Sequence, residues 1–577
     1  MNRRYVAATG LVGLLLATFA SGVVAKPPPG SPAELRAQTT EIQILSLNDF
    51  HGQLEPVDPL ASSGGRIGSL ASGACVAPGC IPAGGVEYLA MHVRNLRADN
   101  PNTVFVSAGD LIGATPLLSA LFHDEPTIEA FNLMGLEYNG VGNHEFDEGV
   151  TELLRMQNGG CHPIDGCGDG DGFAGAEFDF LAANVTYKGS GETIFAPYAI
   201  REFKGVNVAF VGMTLKGTPL IVSPGGISTV DFLDEAASVN ALVPVLKAQG
   251  IETIVVLLHE GGSVSGSFNP STINSCNSPT GPLPPIVAAM DDEIDIVITG
   301  HTNWAVNCVI DGKVVTGAAS QGRLITDIDF TVSRATKDVI GPISVNNRIV
   351  TQDVAKAADM TALMAEYNVF AGPIAAVVVG NTTAAMDRAV LTPGRESTLG
   401  RLIADAQLES AAGAGGQIAF MNPGGIRANF DAGPITHGEA FSVQPFSNIV
   451  TTKTFTGAQI ELILEQQFTV SATGVLRSTP VVLLVSDGFT YTWNGTGPAG
   501  DRVDPSTIKL GGVTLDPTGT YRVTMNNFLG SGGDDFPAFT LGTSEQTGLD
   551  DLVALEAYLG AHNPYTPVTD VRITRVN

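Results

Sequence analysis

The stretch Glu137–Gly149, EYNGVGNHEFDEG, passes within a few residues from a short apolar run through a glycine turn to Asn143, His144, Glu145, Asp147 and Glu148. A surface turn accounts for Gly, Asn and Asp, which tolerate bend conformations. It does not account for the His, and other stretches repeat the arrangement. IQILSLNDFHG ends in Asp49 and His51, TVFVSAGD in Asp110, TIVVLLHEGG in His259, and IDIVITGHTN in His301 and Asn303. Each apolar, β-branched run reads as a buried strand. In open sheets ligands bind beyond the carboxyl ends of strands, so residues leaving those ends can converge although they stand far apart in the chain.

The chain has 9 His, and His51, His144, His259 and His301 all stand at such exits. One isolated His would be an ordinary loop or core residue. Several at equivalent positions, beside Asp49, Asp110, Asn143 and Asn303, are poorly explained by coincidence. A mix of imidazole, carboxylate and amide oxygen without thiolate suits Zn, Mn, Fe or Co. The expectation is a centre of two divalent metal ions, with an Asp carboxylate able to bridge them. His92, His123, His162, His437 and His562 are read as ordinary residues, and Glu145 and Glu148 as solvated or helix-start acids.

At 577 residues the chain is too long for one core, and with 44% hydrophobic and 15% charged residues it has a globular composition. The net charge is -28. Nucleic acid is therefore not an expected partner, since nonspecific affinity for it comes from Lys and Arg. An anionic substrate would need metal ions or a few placed Arg. Residues 1–25 read as a signal peptide, with Arg3 and Arg4 ahead of an apolar run and a small-residue site before Lys26. The tail TDVRITRVN is polar, and no membrane anchor is expected in the mature chain. The mature protein is expected to be secreted or periplasmic. The 6 Cys fit an oxidising compartment, and local pairing is expected: Cys75 with Cys80, Cys161 with Cys167, Cys276 with Cys308. Asn184, Asn381 and Asn494 stand in glycosylation sequons, usable only in a host with that machinery.

NDFHG, GD, GNHEFD, HEGG and GHTN, in this order, resemble the metallophosphoesterase domain of the 5'-nucleotidase family, of the periplasmic UDP-sugar hydrolase and ecto-5'-nucleotidase type. The resemblance runs from about residue 41 to the C-terminus. It implies a four-layer α/β/β/α metallophosphoesterase sandwich over residues 41–345, a connecting helix and linker over 346–375, and an α/β substrate-binding domain over 376–577. By resemblance, Asp49, His51, Asp110 and Asn303 would hold one metal, and Asp110, Asn143, His259 and His301 the other. Metal-bound water or hydroxide would be the nucleophile. His144, oriented by Asp147, would stabilise the transferring phosphoryl group or protonate the departing alkoxide.

The second half carries PGRES, QIAFMNPGGIRANF, FSVQPFSNIV and NNFLGSGGDDF. Each is a weak signal alone; together they match the family's C-terminal domain. The resemblance implies that Arg395 and Arg427 contact phosphate, Asn422 the nucleoside, Phe446 and Phe528 the two faces of the base, and Asp534 the ribose hydroxyls. Arg offers a fork of donors that fits phosphate oxygens, and base–aromatic stacking is worth about 1 to 3 kcal/mol. Arg401 and Ser447 depart from the commonest family pattern.

The expected function is phosphate release from nucleoside 5'-monophosphates, AMP-like, and from other nucleotides. The alternatives are UDP-sugar or 2',3'-cyclic-nucleotide hydrolysis, or nucleotide binding without catalysis.

Overall fold

The computed structural model describes residues 38–577, apart from 61–62, 265–267, 277–278, 389–392 and 472–473. The expected signal peptide lies outside the described residues. Along the first half run β1 (Thr39–Leu47), α1 (Val86–Asp99), β2 (Thr103–Ser107), α2 (Glu125–Met134), β3 (Tyr138–Gly140), α3 (Val150–Asn158), β4 (Asp179–Leu181), β5 (Tyr198–Phe203) and β6 (Val206–Thr214). There follow α4 (Glu235–Ala248), β7 (Thr253–His259), α5 (Leu283–Ala289), β8 (Ile296–Thr299), β9 (Ala305–Ile310), β10 (Lys313–Ala318), β11 (Leu324–Ser333) and β12 (Val339–Ile349).

These strands form two 6-stranded sheets, in the orders β12-β11-β1-β2-β3-β4 and β9-β10-β8-β7-β6-β5. β1 to β4 are mutually parallel, as are β6, β7, β8 and β10. Parallel strands covered on both faces need near-continuous apolar sequence, which explains runs such as Ile254–Leu258, buried throughout. Ile44, Val106, Phe210, Leu257 and Ile298 fill the space between the sheets. Leu89, Phe131 and Leu153 cover the outer face of the first sheet from α1, α2 and α3, and Val239, Val243, Leu283 and Val287 that of the second from α4 and α5. The result is the α/β/β/α layering, with both sheets sending parallel strand ends to one rim.

α6 (Ala358–Ala375) leads into the second half, its Met360, Leu363 and Tyr367 packed in the first sheet's outer core. Helical spacing in the sequence stops at Pro373. The helix runs past it, because a proline in the final turn forfeits only one hydrogen bond, to the carbonyl four residues earlier. Beyond lie α7 (Thr398–Ser410), β13 (Ile418–Met421), α8 (His437–Val443), β14 (Ile449–Thr456), α9 (Gly457–Gln466), β15 (Leu484–Val485), β16 (Thr520–Asn526), α10 (Asn527–Gly530), β17 (Thr543–Asp550) and α11 (Asp551–Ala561). The sheet order is β15-β13-β16-β14-β17. Leu402 of α7 and Leu555 of α11 pack on one side and Ile460 and Leu464 of α9 on the other.

All three disulfides pair as expected, Cys75–Cys80, Cys161–Cys167 and Cys276–Cys308. Asn184 is fully buried, its amide donating to the carbonyls of Thr214 and Leu233. A glycan acceptor must be exposed, so that sequon is a structural asparagine.

Candidate functional site

Asp110 leaves β2 and sits at the centre of the rim. Its Oδ2 lies 3.8 Å from His51 Nε2 and 3.0 Å from His259 Nε2. His51 Nε2 is 3.9 Å from Asp49 Oδ1, and Asn143 Oδ1 is 3.2 Å from His259 Nε2 and 2.9 Å from His301 Nδ1. The residues fall into two sets that share Asp110: Asp49 and His51 on one side, Asn143, His259 and His301 on the other. Asn303 follows His301 and turns its amide to the His301 carbonyl at 3.1 Å.

The backbone is forced into place. Asp49, His51, Asp110, His301 and Asn303 have φ of 50°, 51°, 52°, 66° and 61°. Each left-handed non-glycine residue costs on the order of 1 kcal/mol or more, and such strain gathers at functional sites. Glycines make the close approach possible: a Cβ on Gly142 would stand 2.2 Å from Asp110 Oδ1, and one on Gly109 2.7 Å from His259 Nδ1.

The donor set fits divalent cations. His51 Nδ1 donates to the Gly113 carbonyl at 2.9 Å and His259 Nδ1 to that of Ala108 at 2.7 Å. That pattern fixes the tautomer of a metal-binding imidazole and leaves Nε2 free to coordinate. Asp49 Oδ1 is buried without a hydrogen-bond partner. Burial raises Asp49 to about 7 and lowers His51 and His301 to about 3. His259, 3.0 Å from Asp110, is instead raised to about 10 against its burial, so positive charge is favoured beside these carboxylates.

Beside this centre His144 Nδ1 lies 2.8 Å from Asp147 Oδ2, and the His144 backbone N–H donates to Asp110 Oδ1 at 2.9 Å. Glu145 stands in the first turn of a 3-10 helix, His144–Phe146, as a helix-start acid would, but it is not solvated. It is 3% exposed and accepts the N–H groups of Asp110, Leu111 and Gly142 at 3.0, 3.0 and 2.7 Å. The carboxylate therefore ties the β2 exit to the β3 exit.

A cavity of about 960 Å³ opens here, lined by His144, Asp147 and His301 from the first half and by Asn422, Arg427, Phe446, Phe528 and Asp534 from the second. The Phe446 ring stacks over His144 with centroids 6.0 Å apart, and the Arg427 guanidinium lies 5.8 Å over Phe446. Phe528 lies flat on Gly533, where a Cβ would stand 2.5 Å from the ring. Arg395, at φ 70°, is not among the lining residues. Arg388, which the sequence did not single out, donates to the Arg427 carbonyl at 2.5 Å and is likewise not among the lining residues. Arg401 is buried against Glu396 at 3.2 Å, whereas Ser447 lines the cavity.

His123, read as an ordinary residue, has both ring nitrogens on carboxylates: Nδ1 is 2.7 Å from Glu148 and Nε2 3.1 Å from Asp165. The Glu148 hydrogen bond outweighs burial and raises His123 from 6.5 to about 8. Its stabilisation is thus full below the ordinary value and lost as pH rises through the folded one, and with exposed carboxylates it amounts to about 1 kcal/mol. The melting temperature of His123→Gln should fall below the parent's at pH 6 and meet it above pH 9. A gap independent of pH would refute the pairing.

No helix among the described residues is long and apolar enough to cross a membrane. Residues 378–541 match the family model described as 5'-nucleotidase, C-terminal domain. The chain is 32% identical to Endonuclease YhcR of Bacillus subtilis (strain 168) over 526 residues, which are 90% of this chain and 39% of that one. It therefore spans about two fifths of that relative's length. It is 30% identical to Cell wall protein Lmo0130 of Listeria monocytogenes serovar 1/2a over 557 residues, 91% of this chain and 68% of that one. The 5'-nucleotidase precursor from Thermus thermophilus superposes with a TM-score of 0.74 at 24% identity, covering 93% of this chain and 100% of that one, a likeness of fold.

Proposed function

Because the chain belongs to the 5'-nucleotidase family, with a metallophosphoesterase-like half ahead of its C-terminal domain, we propose that it is an extracytoplasmic metal-dependent phosphohydrolase that releases phosphate from nucleoside 5'-monophosphates. The observation that carries the reading is the cavity itself. One wall holds the His144–Asp147 pair with Asn143 and His301, the members of the Asp110-centred sets that reach the cavity, and the other holds two aromatic rings, an arginine and a carboxylate.

A pair of divalent cations, when bound by Asp49, His51, Asp110, Asn143, His259 and His301, would supply the electrophilic charge and the activation of water that phosphoryl transfer needs. Asp147 holds the His144 imidazole with Nδ1 engaged, so the other nitrogen can donate a proton to a phosphoryl oxygen or to the departing 5'-oxygen. Arg427 neutralises phosphate, and Arg388 holds the Arg427 backbone carbonyl. Phe446 and Phe528 stack on the base, and Asp534 accepts from the ribose. The division of labour falls at α6. The disulfides and the cell-wall relative support a place outside the cytoplasm.

A second reading is favoured by one relative. Because Endonuclease YhcR is similar over 90% of this chain, acidic net charge does not exclude a nucleotide held within a strand of nucleic acid. Turnover of AMP to adenosine and phosphate, of UDP-glucose to UMP and glucose 1-phosphate, of 2',3'-cAMP to adenosine monophosphate and of a short oligonucleotide to fragments should be compared, each by separation of its products, with chelator and with Mn, Zn or Co restored. Chelator-sensitive turnover led by AMP is the expected result. Inert AMP in every metal would sink the proposal, and cleavage of the oligonucleotide alone would establish the second reading.

A further inference from the structure

Asn526 ends β16 and is fully buried at the N-cap of α10, the short helix that carries Phe528. Its Oδ1 accepts the Leu529 N–H at 2.8 Å, and its Nδ2 donates to Asn422 Oδ1 at 3.0 Å. Asn422 in turn donates from Nδ2 to Asp534 Oδ2 at 2.7 Å.

The order of donors leaves no freedom. Only an oxygen can accept the Leu529 N–H, so the Asn526 amide must face Asn422 with its nitrogen. Asn422 must then answer with its oxygen, which sends its own nitrogen to the Asp534 carboxylate. An asparagine side chain could otherwise turn over at little cost. Here both amide orientations follow from one backbone N–H, and nothing in the chain of bonds is exposed until Asp534, whose φ of 53° already departs from the ordinary regions.

We infer that Asn526 is the positioning residue of the nucleoside side of the cavity: one buried amide sets the helix bearing Phe528, the orientation of Asn422 and the carboxylate of Asp534 together. Asn526 touches no substrate and acts through these three. The inference rests on the proposed function, in which they hold base and ribose.

Asn526→Asp tests it with almost no change of shape. The introduced carboxylate still accepts the Leu529 N–H, but it offers Asn422 an acceptor instead of a donor. Asn422 then turns its nitrogen to that carboxylate, so its oxygen faces the acceptor oxygens of Asp534 and that contact breaks. Asn526→Ser keeps a capping oxygen, lacks the reach to Asn422 and covers the case in which the aspartate variant folds poorly. For either variant the KM for AMP should rise about ten-fold, the loss of one hydrogen bond to a charged group, with kcat little changed. The KM for p-nitrophenyl phosphate, which has no ribose, should stay at the parent's value. An unchanged KM for AMP, or an equal rise for both substrates, overturns the inference. A parent enzyme that cleaves p-nitrophenyl phosphate but not AMP overturns the functional reading instead. The positioning claim is then judged by a crystal structure of the aspartate variant: an Asn422 amide turned away from Asp534 supports it, and a retained Asn422–Asp534 hydrogen bond overturns it.

Discussion

Asp110→Asn should lower kcat by about a thousand-fold or more while leaving the protein folded. Among the described residues Asp110 is the carboxylate that reaches both ligand sets, at 3.8 Å from His51 and 3.0 Å from His259. Asparagine preserves its shape and can still accept the His144 N–H. It removes the negative charge that would have to be shared between two cations. Metal content by elemental analysis should fall below the parent's. The thermal midpoint of the chelated protein should fall, because the substitution takes the buried carboxylate away from His259, which it faces at 3.0 Å. A variant with the parent's metal content and the parent's kcat would show that the two sets do not work as one centre.

His144→Ala should cost about 10² to 10⁴ in kcat, the usual range for a general acid, with metal content unchanged. The separation of effects follows from how His144 is attached. Its backbone N–H, which alanine retains, holds Asp110 Oδ1 at 2.9 Å, whereas its side chain faces Asp147 and the Phe446 ring. Asp147→Asn should show a smaller loss, since it disturbs only the orientation of the imidazole. Phosphate release at saturating AMP as fast as the parent's would remove His144 from the mechanism.

How much of this could be read from the sequence depends on what makes each feature. The strand exits were legible because a strand buried on both faces must be apolar throughout, so the first polar residues after Leu47, Ser107 or Thr299 stand out. Glu145 was legible as a helix-start acid but not as a buried one; its burial depends on the neighbouring β2 exit, about 35 residues away, whose N–H groups it accepts. Arg388 and Arg395 show the same limit. Both lie in loops and neither lines the cavity; only the course of the chain decides that the first reaches the Arg427 carbonyl. The Asn184 sequon has the right letters, yet no local pattern announces that its amide is enclosed by the Thr214 and Leu233 carbonyls.

The rim glycines divide the molecule into surfaces that can and cannot vary. Where even a methyl group at Gly142 would collide with Asp110, almost no substitution is open to selection. The opposite wall is built from loops around Phe446, Ser447 and Phe528, where side chains can be exchanged without touching that frame. A lineage adapting to new substrates would therefore change its second half while its first half stays fixed, and directed evolution of this protein should concentrate its diversity there.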